Sequence, residues 1–256
     1  MSLTIDRPAA SVLAAILAAS LAWAPAFGDQ RYAVSGTDQY QIGGERLSTT
    51  IGYVGTQQLS IFRRGRTTRF SARVRYDRTN QSGKSSSSAS FVQEMTPAGE
   101  LKDSANLDPD YLTVLNQPFA VQLDPTTLHD IRKLVGRVPF DFPSPITGGS
   151  LRGFLQRGSI SRFGATPVMA VSFDAVGPMR GPLPDHPNVS IRGSMRMTGT
   201  AYYSLRNALL MGLDEKLAIT GNLKEHAKLT PVTIVYRRSI KAQEAPALTE
   251  ASSAAH

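Results

Sequence analysis

TTRFSARVRYD, at residues 67–77, alternates apolar and polar side chains with a period of two. Its apolar set is Phe70, Ala72, Val74 and Tyr76. A second stretch, NVSIRGSMRMT at residues 188–198, repeats the pattern, with Val189, Ile191, Met195 and Met197 on one side. A strand with one apolar and one polar face is typical of an antiparallel sheet that covers a core on one side only. These two stretches predict such a sheet.

Shorter runs of the same kind predict further strands and the connections between them. The strands are predicted at residues 47–54, 57–63, 88–95, 118–123, 151–157, 168–176, 200–205, 209–223 and 232–240. Three segments are predicted to be irregular: a Ser-rich loop at 78–87, PFDFPSP at 139–145 and a proline-rich connection at 178–188. Prolines exclude PFDFPSP from a helix or a central strand. Its Phe140 and Phe142 either pin this crossing segment onto the core or line the mouth of a pocket.

One amphipathic helix is predicted at residues 124–135. Asp124 caps it, Pro125 suits its first position and Gly136 closes it. Its apolar stripe is Leu128, Ile131, Leu134 and Val135. The expected fold is therefore mostly β, a single curved antiparallel sheet, half-barrel-like, packed on this short helix. A β-sandwich is the alternative.

The first 28 residues have the features of a signal peptide. Arg7 precedes an apolar run at residues 11–24, and Ala26-Phe27-Gly28 has the small-x-small pattern of a cleavage site. The run is shorter than the roughly 20 residues that span a bilayer. Cleavage before Asp29 is expected, with an uncleaved anchor as the alternative. The domain plan is a signal peptide at 1–28, one β-rich domain at 29–240 and a disordered tail at 241–256, in a bacterial protein that is periplasmic or secreted.

Composition restricts the chemistry. The chain has no cysteine, which excludes disulfides, thiol nucleophiles and thiolate metal sites. Lys and Arg number 28 against 20 Asp and Glu, a net charge of +8. This excess indicates an anionic partner or a solvated basic surface. Nucleic acid is disfavoured, because Phe70 and Tyr76 lie on the opposite face from the nearby arginines and cannot add base stacking there.

Motifs for catalysis are missing. RTNQSGKS at residues 78–85 lacks the first glycine of a phosphate-binding loop, and there is no GxSxG, SxxK or HExxH. His129 and His186 are expected to be surface histidines. No catalytic residue, metal ligand or cofactor is predicted. Whether the protein is an enzyme stays open, with the balance against it.

Four residues are candidates for ligand binding: Arg69, Arg73, Arg75 and Glu215. Alternate residues of a strand lie roughly 7 Å apart on one face, so the three arginines would form a basic row. Arg192 and Arg196 would extend it if their strand lies nearby. Glu215 has the parity of the apolar residues around it, which makes it a buried carboxylate unless a turn at residues 214–216 returns it to water.

These observations favour a non-catalytic exported envelope protein that binds an amphipathic or anionic ligand, either lipid or polysaccharide. An envelope hydrolase with a carboxylate-based site is one alternative, since a pair of carboxylates on different strands is not visible in a sequence. A structural component of an envelope assembly is another. The oligomeric state is not predicted.

Overall fold

The fold is a single, open antiparallel sheet. The computed structural model describes residues 24–44, 49–64, 67–95, 101–102, 132–133, 135–143, 150–183 and 186–243. The strands are β1 Ala24–Ile42, β2 Thr49–Arg64, β3 Thr67–Asn80, β4 Gly83–Met95, β5 Leu101–Lys102, β6 Arg137–Pro143, β7 Ser150–Phe163, β8 Thr166–Leu183, β9 His186–Ser204, β10 Leu210–Glu225 and β11 Lys228–Ala242. The eleven strands follow the order β5-β4-β3-β2-β1-β11-β10-β9-β8-β7-β6. One mostly β sheet was predicted, and it is found in place of the two sheets of a sandwich.

The topology is two meanders joined by the first and last strands. β1 pairs with β11 in the middle of the sheet, and every other pair joins strands that are consecutive in the chain. Two-residue turns connect β3 to β4, β7 to β8 and β10 to β11. Short turns of this kind fix the register of a hairpin. Cross-strand rows therefore run through the sheet without interruption over most of its width.

One face of the sheet carries the core. The side chains of Met195, Met197 and Leu217 are fully buried, and they lie on adjacent strands β9 and β10. The same face of β3 buries Phe70, Ala72, Val74 and Tyr76, as the alternation predicted. The opposite face is mostly polar, although Val54, Phe154 and Val176 are exposed on it.

The predicted break between strands at 47–54 and 57–63 is wrong, because β2 is continuous. Gly55, which lies between the two predicted strands, is within the ladder opposite Tyr76. A Cβ atom at Gly55 would lie 2.7 Å from the Cβ of Tyr76. The glycine is thus required by packing and not by a turn. Likewise the strands predicted at 188–198 and 200–205 are one strand, β9.

Two of the segments predicted as irregular are mostly strand. The Ser-rich loop expected at 78–87 is a turn at residues 81–82 between β3 and β4, whose ladder begins at Asn80 and Gly83. Most of its polar side chains are exposed, and an antiparallel sheet tolerates polar residues on the face that meets water. The proline-rich connection expected at 178–188 is the end of β8 and the start of β9. Pro178 is accommodated because the β7 register reaches only Val176, so one edge of β8 is free of β7 there.

The third segment predicted as irregular, PFDFPSP, is also a strand over its described part, because residues 139–143 belong to β6. β6 is the edge strand of the sheet, which agrees with the exclusion of this segment from a central strand. Phe142 is fully buried, and its ring centroid lies 5.9 Å from that of Phe173 on β8. Phe140 packs against the same cluster at 4.8 Å from Phe142. The two rings therefore pin β6 onto the core, the first of the two interpretations.

The packed helix is not shown. Of its predicted range, only Arg132, Lys133 and Val135 are described; Leu128, Ile131 and Leu134 lie outside the described residues, as does the strand predicted at 118–123. Val135, assigned to the apolar stripe, is 97 % exposed. Arg132 donates a hydrogen bond to the carbonyl of Leu205 at 2.7 Å, which ties this segment to the turn after β9.

Candidate functional site

The polar face of the sheet carries a trough of about 910 Å³ that runs across the central strands. Its floor is a row of small side chains, Ser35 and Ser239, which are paired across β1 and β11. Longer side chains flank this row, among them Lys216 and Arg237, which are paired across β10 and β11. Short side chains beside long ones leave a depression on an otherwise flat sheet.

A second trough of about 550 Å³ continues the first along β2, β3 and β4. The two share Val54 and Asp77. The lining side chains of the polar face in both troughs include hydroxyl groups, namely Ser35, Thr37, Thr56, Thr79, Ser86, Ser88, Thr198 and Ser239. On the polar face, four basic residues line them, Arg75, Lys84, Lys216 and Arg237, against two acidic ones, Asp77 and Asp214. Arg238 and Glu215 also belong to the lining, but their side chains are buried on the other face. The combined surface is rich in hydrogen-bond donors and has an excess of positive charge.

The predicted arginine row divides into two parts. Arg73 and Arg75 are exposed on the polar face, and Arg75 lines the second trough. Their cross-strand partners are Ser90 and Ser88 on β4, so neither stands opposite a carboxylate on that strand. Arg69 is half-buried and stands opposite Glu94. The positive charge available to a ligand is therefore that of Arg73 and Arg75.

Arg192 and Arg196 do not extend this row. They lie on β9, which is separated from β3 by β2, β1, β11 and β10. Five strand spacings amount to roughly 24 Å. Arg196 is moreover neutralised by Asp174, to which it donates bonds of 3.0 and 2.7 Å.

Glu215 is buried on the apolar face. It is 5 % exposed, and the pairing of β10 with β11 is unbroken on both sides of it. The prediction of a turn at residues 214–216 is thus wrong. The prediction from strand parity, that Glu215 is buried, is confirmed. Neither carboxylate oxygen has a hydrogen-bond partner. Glu215 stands directly opposite Arg238 of β11.

Arg238 is the centre of a buried ionic cluster. Its Nη1 atom lies 2.6 Å from Oδ1 of Asp38 on β1, and both side chains are fully buried. Nη1 also donates a bond of 2.8 Å to the carbonyl of Arg237. The guanidinium carbon lies 5.1 Å from the ring centroid of Tyr53 and 5.6 Å from that of Tyr236.

The position of this guanidinium depends on Gly36. This glycine lies on β1 between Tyr53 of β2 and Arg238 of β11 in one cross-strand row. A Cβ atom there would lie 2.9 Å from both Cδ and Nη1 of Arg238. The absence of a side chain at Gly36 lets the arginine lie over β1 and reach Tyr53.

Tyrosine hydroxyls complete the cluster around Asp38. Tyr40 donates a bond of 3.4 Å to Oδ2 of Asp38, and Tyr53 also hydrogen-bonds this carboxylate. Tyr236 in turn hydrogen-bonds Tyr40. Burial nevertheless raises the pKa of Asp38 above its ordinary value, although Arg238 acts in the opposite direction. Burial also raises the pKa of Glu215 to about 8, and the charge of Arg238 opposes this rise. A pKa of about 8 leaves Glu215 mostly neutral at neutral pH, beside the buried contact between Arg238 and Asp38.

Arg238 has a signal in the sequence of the same kind as that of Glu215. It shares one parity on β11 with Val232, Ile234, Tyr236 and Ile240, which predicts that its side chain is buried. Asp38 has no such signal, because Gly36 and Asp38 themselves interrupt the apolar alternation of their segment.

No group of three or more potential metal ligands occurs among the described residues. In the same part of the chain, no helix is both long and apolar enough to cross a membrane.

Comparisons with known proteins assign no family. No family model matches the chain, and no curated protein matches it. Among solved structures, lipovitellin, from a study of its lipid–protein interactions, has a TM-score of 0.43 and 11% identity over 87% of this chain and 26% of that chain. A DUF1329 family protein from Desulfovibrio piger has a TM-score of 0.17 and 8% identity over 82% of this chain and 85% of that chain. The chain therefore spans about a quarter of the lipovitellin chain, and similarity at these levels carries no functional argument.

Proposed function

We propose that this chain is an exported, non-catalytic envelope protein that binds an anionic polysaccharide on the polar face of its sheet. The observation that carries the proposal is the pair of adjoining troughs, which combine hydroxyl groups with an excess of basic side chains. Exposed Arg73 adds to this charge beside Arg75. Guanidinium groups bind carboxylates and sulfates through paired hydrogen bonds, and hydroxyl groups match those of sugars.

A polysaccharide is favoured over a lipid because of where the open volume lies. Both troughs lie on the polar face, whereas Met195, Met197 and Leu217 on the other face are fully packed. Acyl chains need an apolar cavity. A chain of sugars can instead lie across the exposed strands and contact side chains from several of them.

The hydrolase alternative is not favoured by the positions of the carboxylates. Asp38 lines neither trough. Glu215 belongs to the lining of the larger trough, but its side chain is buried with the apolar residues of β10. Asp77 and Asp214 do line the larger trough, but β2, β1 and β11 separate their strands. Four strand spacings are roughly 19 Å, whereas the two carboxylates of a glycosidase lie about 5–10 Å apart.

Replacing Arg73 and Arg75 together with glutamine is expected to weaken binding to heparin, a model anionic polysaccharide. Each exposed guanidinium contributes a salt-dependent attraction, so the double variant should leave a heparin column at a clearly lower salt concentration. Arg196→Gln is the matched control, because Asp174 already neutralises that guanidinium. Equal elution of the wild type and the double variant would contradict the proposal, and retention only on anionic vesicles would favour a lipid instead.

Export makes a separate prediction: the mature chain is expected to begin at Asp29. β1 starts at Ala24, but its first residues pair only with β2 and with register shifts, and regular pairing begins at Gln30. Pairing with β11 begins at Tyr32. Removal of residues 1–28 would therefore leave the central ladder intact. N-terminal sequencing of the protein recovered outside the cytoplasm tests this, and a chain that retains Met1 contradicts it.

A further inference from the structure

Arg180 of β8 and Arg192 of β9 stand directly opposite each other in the ladder between these strands. Both are exposed on the polar face. Directly opposed side chains in an antiparallel pair have Cβ atoms roughly 5 Å apart. Two like charges at this position destabilise the strand pair unless an ion of opposite charge lies between them.

The described neighbours do not supply that charge. The partner of Arg192 on β10 is Asn222. Ser190 and Ser194 are its neighbours on the same face of β9, and both stand opposite prolines of β8. The register of β7 with β8 reaches Val176 and not Arg180.

Arg196, on the same strand, is an exposed arginine whose charge is neutralised by a carboxylate of the protein. It lies four residues from Arg192 on the same face, and it donates two bonds to Asp174 of β8, of 3.0 and 2.7 Å. Asp174 lies two residues before Val176, the residue directly opposite Arg196. The equivalent residue for Arg192 is Pro178, which has no charge, and the residue directly opposite is a second arginine.

We propose that Arg180 and Arg192 form a clip for a phosphate group. Each guanidinium presents a planar fork of donors, and a phosphate has enough acceptor oxygens to receive bonds from both. A phosphate also carries the charge that removes the repulsion between the two arginines. This site is separate from the troughs: Arg192 lies six residues along β9 from Thr198, the closest trough residue on that strand, which is roughly 20 Å.

Inorganic phosphate is the first probe, with thermal unfolding at low ionic strength as the measurement. Phosphate should raise the unfolding midpoint of the wild type more than sodium chloride of equal ionic strength does. Arg180→Gln and Arg192→Gln should each lose this specific response, with phosphate binding about tenfold weaker or more. Arg196→Gln is the control and should keep the response. A wild type that responds equally to both salts, or an Arg192→Gln variant that responds like the wild type, would overturn the clip.

Two further comparisons identify the source of the phosphate and separate this site from the polysaccharide site. Binding to phosphatidylglycerol vesicles but not to phosphatidylcholine vesicles, lost in Arg192→Gln, would assign the clip to lipid headgroups. A response to soluble phosphate without vesicle binding would assign it to a soluble or polymer-borne phosphate. The Arg73 and Arg75 double variant should keep the phosphate response, and Arg192→Gln should keep its retention on heparin. Failure of one proposal therefore leaves the other intact.

Discussion

Glu215→Gln is expected to abolish a loss of stability that the wild-type protein shows as the pH rises from about 4.5 to about 8. Burial raises the pKa of Glu215 in the folded state from an ordinary value of 4.5 to about 8. Between these values the unfolded chain releases a proton that the folded protein retains. Since the folded state then binds more protons, the free energy of unfolding decreases with increasing pH. Above the folded pKa the curve levels off.

The size of this effect follows from the shift in pKa. Each pKa unit corresponds to about 1.4 kcal/mol, so the rise from 4.5 to about 8 costs at most about 5 kcal/mol at alkaline pH. Glutamine keeps the shape and has no charge to release. Its amide nitrogen adds a buried donor, which costs about 1–3 kcal/mol at every pH and does not alter the slope. The variant should therefore start less stable at pH 5 and become more stable than the wild type by pH 9.

Urea unfolding at pH 5, 6, 7, 8 and 9 measures this crossing. Asp38 also has a raised pKa, but it is present in both proteins and drops out of the difference between them. Glu225→Gln is the control, because Glu225 is exposed near the end of the same strand. A constant difference between Glu215→Gln and the wild type across this range would show that Glu215 does not change its protonation state there.

The fold could be predicted from the sequence where apolar and polar side chains alternate regularly along a strand. On β3 the apolar residues alternate without exception from Phe70 to Tyr76, and on β9 only Gly193 interrupts the alternation from Val189 to Met197, so the pattern predicts a strand in both places. β1 was missed because its buried side includes Gly36 and Asp38 beside Tyr32 and Val34. These residues are buried for reasons that depend on other strands, which a pattern within one segment does not contain.

The candidate site was predictable to a similar degree. The exposure of Arg73 and Arg75 follows from alternation alone, because parity determines the face. The trough cannot be predicted from alternation. Its floor contains Ser35 and Ser239, which are far apart in sequence and meet only because the first and last strands pair. The opposition of Arg180 and Arg192 likewise depends on the hairpin register, and the sequence suggested an irregular connection there instead.

Arg238→Met is expected to destabilise the protein by about 3–5 kcal/mol. The substitution keeps much of the volume of the side chain but leaves Asp38 buried without its counter-ion. Breaking a buried pair from one side typically costs that amount, because an uncompensated charge remains in an apolar environment. The contact with the rings of Tyr53 and Tyr236 is weakened at the same time.

The double variant Asp38→Asn with Arg238→Met should recover a large part of this loss. Replacing both members of a buried ion pair by neutral groups is often close to neutral, so the two substitutions should be strongly non-additive. Urea unfolding at pH 6 is the suitable measurement, since Glu215 is protonated in the folded state at that pH and contributes no second charge.

Arg237→Met is the control for this cycle. The Arg237 side chain lies on the polar face and donates a hydrogen bond to Gln39, and its loss should cost no more than about 1 kcal/mol. If the losses at Asp38 and Arg238 simply add, the pair is not coupled. Strong coupling would instead show that this ion pair, buried beneath the floor of the trough, helps to hold together the first and last strands, whose pairing forms that floor.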